Sequence, residues 1–213
     1  MADLPLHLAP PLDDALVRAL DVEGKITRAL QTLGPIAGCD VVLVGGGPLE
    51  TSRLADAGAK LTAVDPLAPS DAAGVGAAWA LPDGSADAVV AAWSGFRGAD
   101  PAGLAEADRV LKPGGRLLIV HDYGRDDVSR LRGVLPEHRL WSRRDGPFLS
   151  VGFRIRVIHC FWTFDSVESA GSFLAGAFGA AGKEFATTLT RPRLSYNVAI
   201  YHRTRGEVSA APV

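Results

Sequence analysis

Apolar and polar positions along this chain alternate between two periods, and that alternation predicts a layered α/β fold. Val41, Val42, Leu43 and Val44 form a continuous apolar run that ends at Gly45, Gly46 and Gly47. A short apolar run closed by a turn signal reads as a strand buried on both faces, as in a parallel sheet. Further strands are expected at 60–64, 74–82 and 88–93, and again after Pro113, Gly114 and Gly115 up to Val120. Helical patterning fills the gaps at 51–57 and 101–111, where Leu104, Ala105, Ala107 and Val110 are available for burial.

The flanks follow the same logic. Leu16, Leu20, Ile26, Leu30 and Leu33 share a helical stripe, with Asp13 or Asp14 as N-cap and a break at Gly24 that divides it into two helices. After 120 the pattern predicts a helix over 126–135, a long strand over 153–164 and a last strand over 195–202. Between those strands a helix runs to about Phe178, capped by Asp165 or Ser166, with Glu168 as the box partner of Asp165. The connection from residue 65 to 74 is anomalous. A parallel crossover normally takes a dozen or more residues and a helix, yet Pro66 and Pro69 leave hardly room for one. One sheet face is therefore expected to need cover from the N-terminal helices or from a second subunit, which makes a homodimer possible.

Composition narrows the function. The 213 residues suit one domain with a sizeable core. Net charge is −2, which argues against a duplex nucleic-acid binder. No apolar run is long enough to span a bilayer. The start Met1-Ala2-Asp3 lacks the basic flank of a signal peptide, so a cytoplasmic location is expected. The two cysteines, Cys39 and Cys160, read as buried free thiols rather than a disulfide or metal framework. No spacing suggests a metal site, a nucleophile elbow or a phosphate-binding Gly-Lys-Ser/Thr loop.

The chemistry centres on the glycines after the first strand and on Asp65, which ends the second. Glycines there allow close backbone approach, and an acid at a strand end can accept both hydroxyls of a ribose. The pattern resembles the first two motifs of the class I S-adenosylmethionine-dependent methyltransferases. Gly45 and Gly47 fit the family's first two glycines and Asp65 its ribose acid. Leu43 stands where the family has an acid, Leu49 where it has a third glycine, and Ala78 where it often places an acid for the adenine. The nicotinamide pattern fits worse, because Glu50 takes its third glycine position. Two further stretches carry the resemblance: Leu81-Pro82-Asp83-Gly84-Ser85-Ala86-Asp87, and Arg109-Val110-Leu111-Lys112-Pro113-Gly114-Gly115-Arg116-Leu117.

The resemblance implies a doubly wound, mostly parallel sheet of seven strands in the order 3-2-1-4-5-7-6, with helices on both faces and a shortened connection between strands 2 and 3. Residues 1–34 would form an arm and helices packed on the core, 35–205 the domain, and 206–213 a loose tail. The implied activity is methyl transfer from S-adenosylmethionine to a small molecule. The alternative is a degenerate domain without catalysis that serves binding or assembly. Gly45, Gly46, Gly47, Asp65, Pro66, Ala80, Leu81 and Trp93 are the expected cofactor-binding residues. His121 and Asp122 follow a central strand, where ligands bind in open α/β sheets, and are the candidate acid–base pair. His159 and Cys160 read as core, and Arg139, Arg143, Arg144, Arg154 and Arg156 as a solvated basic patch.

Overall fold

A computed structural model describes residues 8–64, 79–93 and 96–206. The elements in chain order are α1 (Pro10–Ala19), α2 (Lys25–Leu33), β1 (Asp40–Gly45), α3 (Pro48–Asp56), β2 (Lys60–Val64), β3 (Ala86–Ala92) and α4 (Pro101–Val110). They continue with β4 (Leu111–Asp122), α5 (Asp127–Arg132), α6 (Pro136–Leu140), a 3-10 turn (Leu149–Val151), β5 (Arg154–Thr163), α7 (Val167–Ala186) and β6 (Arg193–Thr204).

The six strands form one sheet in the order β2-β1-β3-β4-β6-β5. β2, β1, β3 and β4 are parallel, and β6 and β5 close the sheet antiparallel. Six strands rather than seven are therefore described. Of the stretch 74–82 expected as another strand, residues up to 78 lie outside the described residues, and 79–82 are not in a strand. Arg109 holds that short stretch as a turn: its guanidinium donates to the carbonyls of Leu81 (2.8 Å) and Trp79 (3.1 Å), and Leu81 N–H donates to Trp79 O (2.6 Å).

Strand alternation divides the core in two. On one face Leu43, Val90, Leu118 and Val120 meet α2, Leu54 of α3, Val128 of α5 and Phe173 and Leu174 of α7. On the other face Val42, Val44, Val89, Leu117 and Ile119 meet Ala107 and Val110 of α4 and the aromatic rings of Trp141, Phe148 and Phe153. The continuous apolar runs are thus buried on both sides, as a parallel sheet requires. The groove bordered by Val42, Lys60, Thr62, Leu81 and Pro82 has no wall from α1 or α2, and residues 65–78 lie outside the described residues. Those two helices lie instead against β5, β6 and α7.

Pro113, Gly114 and Gly115 are not a turn before β4 but a wide bulge inside it. Ala86 pairs with Leu111 and Ala88 already with Arg116, so residues 112–115 are looped out. Gly114 is left-handed (φ 78°), and a β-carbon on Gly115 would lie 2.9 Å from Lys112 O. The bulge turns Lys112 back across the strand starts, where its ammonium binds Asp40 (3.0 Å) and Asp87 (2.9 Å). Asp87 also accepts from Asp40 N–H, and the Lys112 bond, ahead of that one, holds its carboxyl below the usual range.

Three helix starts differ from expectation. α1 begins at Pro10 without a side-chain cap, so neither Asp13 nor Asp14 caps it; proline at the first turn needs no N–H partner. α1 and α2 are separated by Asp21 as much as by Gly24. The Asp21 carboxylate accepts from the N–H groups of Lys25 and Ile26, while Leu20 bridges to Trp162 on the sheet edge. α7 is capped by Ser166 with Ser169 as reciprocal partner, in place of Asp165 and Glu168, and it continues past a kink at Gly179 to Ala186. Cys160 is buried, with its thiol pushed up to about 12 by burial, whereas His159 is exposed and lies 2.8 Å from Asn197 Oδ1. The expectation of a core histidine fails because β5 is the edge strand and one of its faces stays open.

Candidate active site

The strand order reverses around β1: β2 lies on one side of it and β3 on the other. Ligands in open α/β sheets bind in the crevice at the carboxyl ends of the strands flanking such a switch point. Here those ends are Gly45 and Ala92, which are direct partners in the β1–β3 register.

Backbone conformation explains the glycines. Gly45 (φ 66°) and Gly46 (φ 75°) are both left-handed, which a side chain would strain. A β-carbon on Gly46 would stand 3.3 Å from the β-carbons of Ala92 and Glu50, so the loop is drawn tightly between β3 and α3. Gly47 is the extended N-cap of α3, with Pro48 following. Its N–H donates to Glu50 Oε2 at 2.7 Å, so the carboxylate of Glu50 folds back over the helix start.

Trp93 closes the other side. It follows β3 with φ 54°, is 4% exposed, and is anchored by its N–H to Val120 O at 2.9 Å. Phe96 and Ala99 are also left-handed (φ 59° each). Non-glycine residues held in this region mark sites where surrounding structure over-determines the backbone, and they gather at functional loops. The Trp93 indole N–H has no acceptor among the described residues. Between α2, α3 and the strand ends is a cavity of about 20 Å³, lined by Thr27, Leu30, Leu43, Glu50, Arg53 and Trp93, among others. Arg53 ties the α1–α2 turn to α3 by donating to the carbonyls of Leu20 (2.6 Å) and Asp21 (3.2 Å).

The structure brings Gly45, Gly46, Gly47 and Trp93 together. Asp65, Pro66 and Ala78 lie outside the described residues. Leu81 has both backbone groups engaged, as given above, while Ala80 is exposed. The Arg109 network also takes in Glu106 and Asp83. The Arg109 hydrogen bond lowers the Glu106 carboxyl below its usual range against the opposing effect of burial.

His121 and Asp122 do not form a pair. Neighbours on a strand point to opposite faces. His121 is fully buried among aromatics, with its ring 4.7 Å from Trp141 and 6.1 Å from Phe148. Asp122, 4% exposed, takes a salt bridge from Arg132 of α5 and a hydrogen bond from the Tyr196 hydroxyl of β6. The arginine patch also separates: Arg143 pairs with Asp145 at 2.8 Å, while Arg154 and Arg156 project from edge strand β5. Charges there discourage pairing with another chain.

The residue that the sequence reading passed over is Glu50. The signal was present, since an acid three positions after a glycine N-cap is the capping-box spacing. The site fits the cofactor that the resemblance implies: a backbone cradle open to close approach, a carboxylate, and a buried indole donor seeking an acceptor. Among the described residues no group of three or more His, Cys, Asp or Glu side chains is placed to hold a metal ion, and no helix is long and apolar enough to cross a membrane.

No protein-family model matches the chain, and no curated protein sequence matches it. Solved structures do. A provisionally assigned type II methyltransferase from Anaeromyxobacter dehalogenans is 19% identical, with a TM-score of 0.53 covering 84% of this chain and 95% of that one. A provisionally assigned methyltransferase from an antibiotic biosynthesis pathway of Anabaena variabilis is 16% identical, with a TM-score of 0.49 covering 87% and 98%. A SAM-dependent methyltransferase from Aquifex aeolicus is 18% identical, with a TM-score of 0.47 covering 88% and 92%. The first of these establishes the fold: the chain shares the architecture of that protein, at an identity where fold is shared and activity is a separate matter.

Proposed function

We propose that the chain transfers a methyl group from S-adenosylmethionine to a small molecule. The observation that carries this reading is the crevice between the ends of β1 and β3, where the left-handed backbone of Gly45 and Gly46 meets Trp93. Gly45, Gly46, Gly47 and Trp93 would hold the cofactor, joined by Asp65 and Pro66 directly after β2 and by Ala80 at the nucleotide end. Leu81 contributes through its side chain, since its backbone groups are taken. When bound, the cofactor supplies an electrophilic sulfonium methyl. The protein's own part is alignment and exclusion of water, which needs no dedicated nucleophile. Proton removal at His121 would require Trp141 and Phe148 to open, and Asp122 orients α5 rather than the histidine. Net charge −2 argues against a nucleic-acid acceptor.

Affinity is expected to be weak. Leu43 offers no carboxylate, and Leu49 puts a side chain where a third glycine would allow approach. Each missing hydrogen bond is worth roughly 0.5–1.5 kcal/mol, more with a charge. Two such losses move a micromolar site to about 100 μM. Calorimetric titration with S-adenosylmethionine up to low-millimolar concentration tests this. Low-micromolar binding would show that the lost groups are fully replaced. The absence of any heat would leave a non-catalytic binding module as the reading. The same titration of Asp65→Ala is expected to show a further weakening of about ten- to a hundred-fold, since charge-assisted bonds to the ribose are lost. Unchanged affinity would reduce Asp65 to a strand-end residue.

A further inference from the structure

The crevice contains two polar groups of opposite character that the protein leaves incomplete. Glu50 is half-buried, and its only hydrogen bond among the described residues is the one from Gly47 N–H. A carboxylate has about four acceptor positions, so most of its capacity is unused. No cation among the described residues pairs with it. Arg53, which borders the same cavity, is committed to the carbonyls of Leu20 and Asp21 and stands 3.9 Å from the Asp21 carboxylate. Trp93 borders that cavity too, and its buried indole N–H has no acceptor among the described residues.

We propose that Glu50 and Trp93 hold the amino-acid end of the cofactor, Glu50 taking the ammonium and the Trp93 indole N–H the carboxylate. Glu50 thereby stands in only in part for the acid that is missing at Leu43. The proposal rests on the methyl-transfer reading above. Its chemistry follows from polarity. A cavity with a negative group and a hydrogen-bond donor in its wall suits a zwitterion. A phosphate, the usual guest of a helix N-terminus, would meet the Glu50 carboxylate already seated there and be repelled. A ligand ammonium would complete the pairing of the Glu50 carboxylate. Glu50 lines the same cavity as Ala92 and Trp93, so the carboxylate is held beside the end of β3 rather than free in solvent. At about 20 Å³ the cavity admits a water and no more. Loading therefore requires α2, which contributes Thr27 and Leu30 to the wall, to draw back from α3.

The test compares two probes in calorimetry: S-adenosylhomocysteine, which carries the amino-acid end, and 5′-methylthioadenosine, which lacks it. Wild type, Glu50→Gln and Trp93→Phe are titrated with both. Glutamine can still accept from Gly47 N–H, so α3 stays capped, and circular dichroism checks that the fold is kept. Glu50→Gln is expected to bind S-adenosylhomocysteine about tenfold or more weakly and methylthioadenosine as wild type does. Trp93→Phe is expected to shift the same way by a smaller factor. Equal loss for both probes in Glu50→Gln, or no loss for either, overturns the proposal. Wild type binding both probes equally well also overturns it while leaving the methyl-transfer reading in place. Wild type binding neither probe sinks the methyl-transfer reading and this proposal with it.

Discussion

Asp122→Ala is expected to lower folding stability by about 3–5 kcal/mol, the range found when one partner of a buried ion pair is removed. The side chains of Asp122 and Arg132 are only 4% and 13% exposed. The carboxylate joins three elements, since Arg132 comes from α5 and Tyr196 from β6 while Asp122 ends β4. Its loss leaves a guanidinium with little water and takes one acceptor from the Tyr196 hydroxyl, and an unsatisfied buried group bears its full desolvation cost. Equilibrium unfolding in urea should show a lower midpoint with an unchanged slope. An acid–base role predicts the reverse pattern, a slow enzyme of normal stability. A loss below about 1 kcal/mol would return Asp122 to the catalytic candidates.

The candidate pair at 121–122 shows where sequence reading stops. Position at the carboxyl end of a central strand was correctly legible, because apolar runs and turn signals are local features. The pairing was not legible from adjacency; it contradicts the period of the strand, which sends consecutive side chains to opposite faces. His121 goes to the aromatic layer with Trp141 and Phe148, and Asp122 to the α5 side. The six described strands run β2-β1-β3-β4-β6-β5, and the strand expected at 74–82 is not among them, so the seven-strand order that the resemblance implied is met by six strands only. Caps were less legible, because Asp165 and Ser166 are adjacent and both qualify by type; only the local chain path selects Ser166. Burial of His159 was misread because alternation in a strand does not say which strand is at the edge. Lys112 was seen only as part of a motif, and its reach across to Asp40 and Asp87 depends on a bulge that pairs residues far apart in the chain.

The departure at Leu43 can be tested by reversing it, and the expected result is loss of the fold rather than repair of the site. Leu43 has no exposed surface and belongs to the core face shared with α2, α3 and β3. Its Cδ1 would lie 3.4 Å from a β-carbon on Gly46, so the side chain fills the floor of the glycine loop. Leu43→Asp removes that packing, which alone costs about 2–5 kcal/mol for a buried leucine. It also introduces a carboxylate with no uncommitted cation among the described residues lining the cavity to receive it. Arg53 is already bound to Leu20 and Asp21, and Glu50 lines the same cavity with a like charge. Burying an unpaired charge is costly enough that the group would protonate instead, which cancels its use as an ammonium partner. The combined loss should reach about 5 kcal/mol or more, a large part of the stability of a domain this size. Urea unfolding of Leu43→Asp, with titration of whatever fraction stays folded, distinguishes two histories of the site. A stable variant with tighter cofactor binding would mean that a single missing acid explains the degenerate motif. A destabilised variant with no gain in affinity would mean that the core and the loop have adjusted together around leucine, leaving Glu50 as the site's acid.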